Sequence, residues 1–224
     1  MPIIYMLRHA QSTANTKGIL AGQDDLVELS KPGHKQAQLL AAYLATIKIN
    51  KIYSSPLTRC LQTIEPFIQS NPDIDFQVDK SFIEMDYGLW SGRKLSSLRR
   101  DRRWRAVQAK PSTFTFPEGE SFKNMRTRVD KALMNLNKAK GVILIVTHGD
   151  IIKMSLASVL GLPIDRFQSF VVEPASISVF SLEKNGATIL QTNFVVSSSL
   201  VKKFKQNQLG GGNSLSASTK WWRR

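Results

Sequence analysis

At 224 residues, 42% hydrophobic and 21% charged, the chain has the length for one α/β domain with a sizeable core, and its composition excludes wholesale disorder. A single cysteine, Cys60, excludes an internal disulfide scaffold, and no apolar run approaches the roughly 20 residues of a membrane helix. The net charge of +14 is unevenly placed: residues 93–110 hold eight Lys and Arg against Asp101 alone, the stretch from Lys202 onward holds six and no acid, and the remainder is nearly neutral.

The first predicted strand is "PIIYML" at 2–7, a continuous apolar run of the kind that is covered on both faces in a parallel sheet. It has no basic lead-in and no small-residue cleavage site, so it does not read as a signal peptide, and a cytoplasmic location is expected. "SKPGHKQAQLLAAYLATI" at 30–47 predicts a helix started by Ser30 and Pro32, with Ala37, Leu40, Ala41 and Leu44 at i, i+3, i+4 and i+7. "KIYS" at 51–54 is a weaker strand. In "SSPLTRCLQTI" either Ser54 or Ser55 can cap a helix, Pro56 suits its first turn, and Leu57, Cys60, Leu61 and Ile64 form a stripe ending at Pro66. "FQVD" at 76–79 is a further strand.

A later helix carries Phe122, Met125, Val129, Leu133 and Leu136 and leads through Gly141 into the apolar strand "VILIV" at 142–146. Another helix begins directly after His148. Residues 176–182 and 187–195, split by "KNG", predict a closing antiparallel hairpin, and "GGG" with "NSLSAS" predicts a flexible basic tail over 205–224. Strands alternating with helices give an α/β protein: a three-layer α/β/α sandwich around a mainly parallel sheet, spanning 1–204 with an insertion or cap near 93–120.

Ligands of open α/β sheets bind beyond the carboxyl ends of the parallel strands. Arg8 and His9 follow the first strand, Arg59 opens the helix after the second, His148 follows "VILIV", and Glu84 lies shortly beyond "FQVD". Two guanidiniums and a helix N-terminus suit a phosphoryl group, and a neutral imidazole can attack phosphorus while its other nitrogen donates to a backbone carbonyl. His9 is best placed to attack, His148 to stabilise charge on the transferring group, and Glu84 to act as acid and base.

The segments "LRHAQSTAN", "SSPLTRCLQT", "EMDYGLWSG" and "VTHGD" resemble the four signature blocks of the histidine phosphatase, or phosphoglycerate mutase-like, superfamily, in family order and in its intracellular branch. The resemblance implies phosphorylation of His9, with Arg8, Arg59 and His148 holding the phosphoryl group and Glu84 as acid and base. It further implies that Ser12, Asn15, Gly22 and Gln23 line the substrate mouth, that Gly149 lets the backbone approach phosphate, and that no metal or other cofactor is required. Ala10 replaces the family's usual glycine, a change tolerated unless the position needs a positive φ, and Ser91 stands where a carboxylate is common.

The expected activity is therefore hydrolysis of a phosphorylated small molecule, a phosphomonoester, through phosphohistidine. A phosphoglycerate mutase-type phosphomutase is the alternative within the enzyme class, although "EMDYGLWSG" is more similar to the phosphatases. From another class comes binding of nucleic acid or an anionic surface through "RRDRRWR" and "KWWRR", with Trp104, Trp221 and Trp222 stacking on bases. The competing reading of the first basic cluster is a partly exposed helix beside the site, with Trp104 packed on the domain. His34 is expected to be exposed, and Cys60 to belong to the core.

Overall fold

A computed structural model describes residues 1–183 and 186–199. The strands β1 (Pro2–Arg8), β2 (Ile49–Ser54), β3 (Asp75–Val78), β4 (Gly141–Thr147), β5 (Ser176–Glu183) and β6 (Gly186–Val195) form one sheet in the order β3-β2-β4-β1-β5-β6. The first four are mutually parallel, and β5 and β6 close the edge antiparallel.

Both faces are covered, which explains why β1 and β4 are apolar throughout rather than alternating. On one face Leu7, Ile52, Leu144 and Val146 pack with α2 (Lys31–Leu44) and α3 (Thr58–Gln69); on the other Ile4, Met6, Ile143 and Ile145 pack with α6 (Phe122–Leu136) and α7 (Gly149–Val159). The short helices α1 (Thr13–Lys17), α4 (Leu95–Leu98) and α5 (Trp104–Ala109) stand outside these layers. The α/β sandwich expected from the sequence is thus the observed architecture, hairpin included; the Lys184–Asn185 turn and the expected tail at 205–224 lie outside the described residues.

Ser30 caps α2 by accepting the Gly33 N–H at 3.1 Å, as its position before Pro32 suggested. The start of α3 differs from expectation. Neither Ser54 nor Ser55 is its cap: the helix begins at Thr58, whose N–H donates to the Asp25 carboxylate from a distant loop at 2.8 Å. Nor does Pro66 end it. The helix runs on to Gln69 because Phe67 is buried in the core beyond the proline, and burial of such a side chain, about 1.5–3 kcal/mol, offsets the roughly 3 kcal/mol an internal proline costs.

Candidate active site

Backbone hydrogen bonds prolong the parallel ladder past the strand ends. His9 N–H donates to the Thr147 carbonyl at 2.9 Å, Ser55 N–H to the Val146 carbonyl at 2.9 Å, and Asp79 N–H to the Ser54 carbonyl at 2.8 Å. The loops after β1, β2, β3 and β4 are therefore held side by side. They enclose a cavity of about 310 Å³ lined, among others, by Arg8, His9, Ser12, Asn15, Gly22, Arg59, Glu84 and Gly149. His148 lies behind that wall, fully buried, its ring 5.2 Å from that of His9 and inclined by 61°.

His9 Nδ1 lies 2.8 Å from the carbonyl oxygen of Ala10. A carbonyl only accepts, so Nδ1 carries the proton and Nε2 keeps its lone pair. Burial first, then the charges of Arg59 and Arg8, hold the imidazole well below its ordinary pKa, so it is neutral at pH 7. Ala10 needs no positive φ here, and its N–H donates to Thr63 Oγ1 at 2.9 Å.

The guanidiniums are fixed by backbone carbonyls. Arg8 donates to the Val172 carbonyl at 2.6 Å, while its buried Nε has no partner. Arg59, also buried, donates to the Gly22 and Asp24 carbonyls at 2.7 and 3.0 Å. Gly22 adopts a φ of +57°, and a Cβ there would stand 2.6 Å from Ser91 Oγ, so the loop that receives Arg59 requires glycine. At Gly149 a Cβ would crowd Arg8 Nε at 3.3 Å, so its absence makes room for the guanidinium.

Glu84 is buried, and its carboxyl pKa is pushed up to about 7 by desolvation first and the charge of Asp150 second, against the opposing pull of the Met85 N–H, Arg59 and Arg8. Its loop is anchored from several sides. Gln23 Nε2 donates to the Glu84 carbonyl at 2.8 Å, and Arg128 donates to the carbonyls of Ser81 and Ile83, each at 2.9 Å. Gln23, expected at the substrate mouth, thus has its amide nitrogen on the backbone of the Glu84 loop. Ser12 and Asn15 do line the cavity, locked to each other in the capping box of α1.

Four neighbours escaped the sequence reading. Ser55 Oγ lies 2.7 Å from His148 Nε2, so the serine considered as a helix cap instead holds an imidazole. Tyr87 Oη donates to Asp150 Oδ2 at 2.8 Å, and Lys153 meets the other oxygen at 3.5 Å. Tyr87 and Asp150 stand inside the blocks "EMDYGLWSG" and "VTHGD", which was the available signal; Lys153 lies one helical turn beyond Asp150.

The basic stretch contributes Leu95, Arg99, Trp104, Val107 and Gln108 to the cavity lining. Trp104 stacks on Trp90 with ring centroids 6.1 Å apart, and Arg103 pairs with Asp101 at 2.7 Å. These contacts match the packed-helix reading and leave nucleic-acid binding unsupported; Trp221 and Trp222 lie outside the described residues. His34 is exposed, and Cys60 is buried in the core against His148, its thiol pKa pushed up to about 12 by burial.

Residues 4–195 match the model of the histidine phosphatase superfamily, branch 1. The chain belongs to this superfamily. Phosphoserine phosphatase 1 of Hydrogenobacter thermophilus is 30% identical over 197 residues, covering 85% of this chain and 91% of its own. The 2,3-bisphosphoglycerate-dependent phosphoglycerate mutase of Thermoplasma acidophilum is 28% identical, over 82% of this chain and 88% of its own. Among solved structures, phosphoserine phosphatase of Entamoeba histolytica in complex with 3-phosphoglyceric acid shares the fold, with a TM-score of 0.78, 24% identity, and coverage of 89% of this chain and 100% of that one. Histidine phosphatases with phosphatase and with phosphomutase names thus both stand among the relatives, and the chain is an enzyme of this phosphoryl-transfer class.

Proposed function

We propose that the protein hydrolyses phosphomonoesters through a phosphohistidine formed on His9. The observation that carries this reading is the state of His9: neutral, with Nδ1 spent on the Ala10 carbonyl, in a cavity that it shares with two guanidiniums. Nε2 attacks phosphorus. Arg8, through its unpartnered Nε, and Arg59 hold the equatorial oxygens, joined by the N–H groups that open α7. In this reading the Ser55 hydroxyl, 2.7 Å from His148 Nε2, donates to it and leaves Nδ1–H as the donor toward the phosphoryl group.

Glu84, with a pKa near 7, is protonated in a large fraction of molecules at neutral pH and gives its proton to the departing alkoxide. The resulting carboxylate then takes a proton from the water that attacks phosphohistidine. Phosphate is released and both residues return to their starting states. Residues 93–120 serve as the cap over this chemistry, and an unpaired Cys60 accords with a cytoplasmic setting.

A panel of phosphate esters incubated with EDTA, with free phosphate and isomerised product counted in parallel, tests this proposal. Phosphate release by the wild type and its loss in His9→Ala are expected. Isomerised product in excess of phosphate makes the protein a phosphomutase, and turnover that requires added metal contradicts the mechanism.

A further inference from the structure

The part of the cavity beyond the phosphoryl-binding groups has a chemical character of its own. Ile19 and Leu20 follow α1, and Leu95 and Trp104 come from the cap; all four line the cavity and are only partly buried. Their backbones are stitched together: Leu20 N–H donates to the Arg93 carbonyl at 2.9 Å, Gly92 N–H to the Leu20 carbonyl at 2.8 Å, and Leu95 N–H to the Gly18 carbonyl at 2.8 Å. The main-chain groups of this wall are thereby consumed, and what it offers a ligand is hydrocarbon and an indole.

Several polar atoms nearby are committed to one another. Asn15 Oδ1 receives the Ser12 N–H and hydroxyl, each at 3.0 Å. Asp150 is held by Tyr87 and Lys153, and Gln168 Oε1 accepts from Lys153 at 3.0 Å. Asn15 Nδ2, Gln168 Nε2, Gln108 and Arg99 remain, the last two on the exposed side of the cap. A sugar or glycerate moiety seated on Ile19, Leu20, Leu95 and Trp104 would place hydroxyls and a carboxylate where they lose water and gain no partner from those four side chains. The volume of about 310 Å³ is at the small end of ligand pockets, which suits a small alcohol.

Resting on the phosphomonoesterase reading above, we infer that the substrate class is phosphate monoesters of small apolar or aromatic alcohols, seated against the wall formed by Ile19, Leu20, Leu95 and Trp104. Sugar phosphates and phosphoglycerates are poor substrates on this account.

The test compares kcat/KM of the full chain for benzyl phosphate, glycerol 1-phosphate and 3-phosphoglycerate, three esters of primary alcohols. Benzyl phosphate is expected to lead by ~10-fold or more, the discrimination an apolar pocket supplies. Leu95→Asn and, independently, Ile19→Asn should shrink that ratio, with inhibition by inorganic phosphate showing that each variant still holds the anion. Equal or faster turnover of glycerol 1-phosphate or 3-phosphoglycerate overturns the substrate class and leaves the phosphatase reading standing. No turnover of any of the three, nor of a wider ester panel, overturns both.

Discussion

Ser55 and His148 meet inside the protein, hydroxyl to Nε2 at 2.7 Å, although 93 positions separate them in the chain. Both follow strands that flank each other in the sheet, β2 and β4, so the pairing of these strands brings the hydroxyl to the ring. Ser55→Ala leaves Nε2 with only the weak thiol contact of Cys60 at 3.5 Å and loosens the hold on the ring's tautomer. A fall in kcat of ~10-fold or more is expected, with KM changing much less. Steady-state kinetics on an alkyl phosphate checks it; an unchanged kcat would remove Ser55 from the mechanism.

In the proposed mechanism the alkaline limb of the rate belongs to Glu84. The carboxyl must be protonated to release the alkoxide, and its pKa lies near 7, so kcat should fall as pH rises through about 7. Asp150→Asn removes a neighbouring negative charge that raises this pKa. The limb should therefore move to lower pH in the variant, and comparing the two profiles with one substrate cancels the titration of the substrate itself. A limb that stays in place would separate Asp150 from Glu84.

Charge on the cap should act on encounter rather than on chemistry. Arg99 lines the cavity from an exposed position and has no ion-pair partner among the described residues. For an anionic ester, kcat/KM should drop several-fold between roughly 20 and 200 mM salt as screening shortens the reach of the field. Arg99→Gln should flatten that dependence while kcat is retained. Stopped-flow or initial-rate measurements across ionic strength check this.

The residues that make the site visible in the chain are those delivered by regular structure. Arg8, His9 and His148 sit at the ends of β1 and β4, whose uninterrupted apolar runs announce strands covered on both faces, and Arg59 opens a helix with a readable stripe. Residues whose roles arise from contacts distant in sequence were less legible. Ser55 faces His148 across two strands, Arg128 anchors the Glu84 loop from α6, and Asp25 caps α3 from another loop; none of these pairings leaves a local pattern. Gln23 illustrates the converse, a block residue whose amide nitrogen donates to the Glu84 backbone, a contact its block does not announce. Pro66 shows tertiary burial overriding a local stop signal, since the burial of Phe67 is of the same size as the cost of the proline.

Stability offers a check on the frame that carries the His9 loop. Gly33, in the first turn of α2, lies so close to the loop after β1 that a Cβ would stand 2.0 Å from the Gln11 carbonyl oxygen. Gly33→Ala must push α2 away from the segment that bears His9 and Ser12. A loss of about 1–3 kcal/mol in unfolding free energy is expected, measurable by urea denaturation, together with reduced activity. Wild-type stability in the variant would contradict this packing.

The central claim is that His9 Nε2 becomes phosphorylated during turnover. Rapid acid-free quenching of the enzyme with a ³²P-labelled phosphate ester, followed by peptide mapping, reads it directly. The account predicts an acid-labile, alkali-stable label on His9 that forms and decays at rates compatible with turnover and is absent from His9→Ala. Turnover with no labelled enzyme at any time, or a label that persists in His9→Ala, would contradict it.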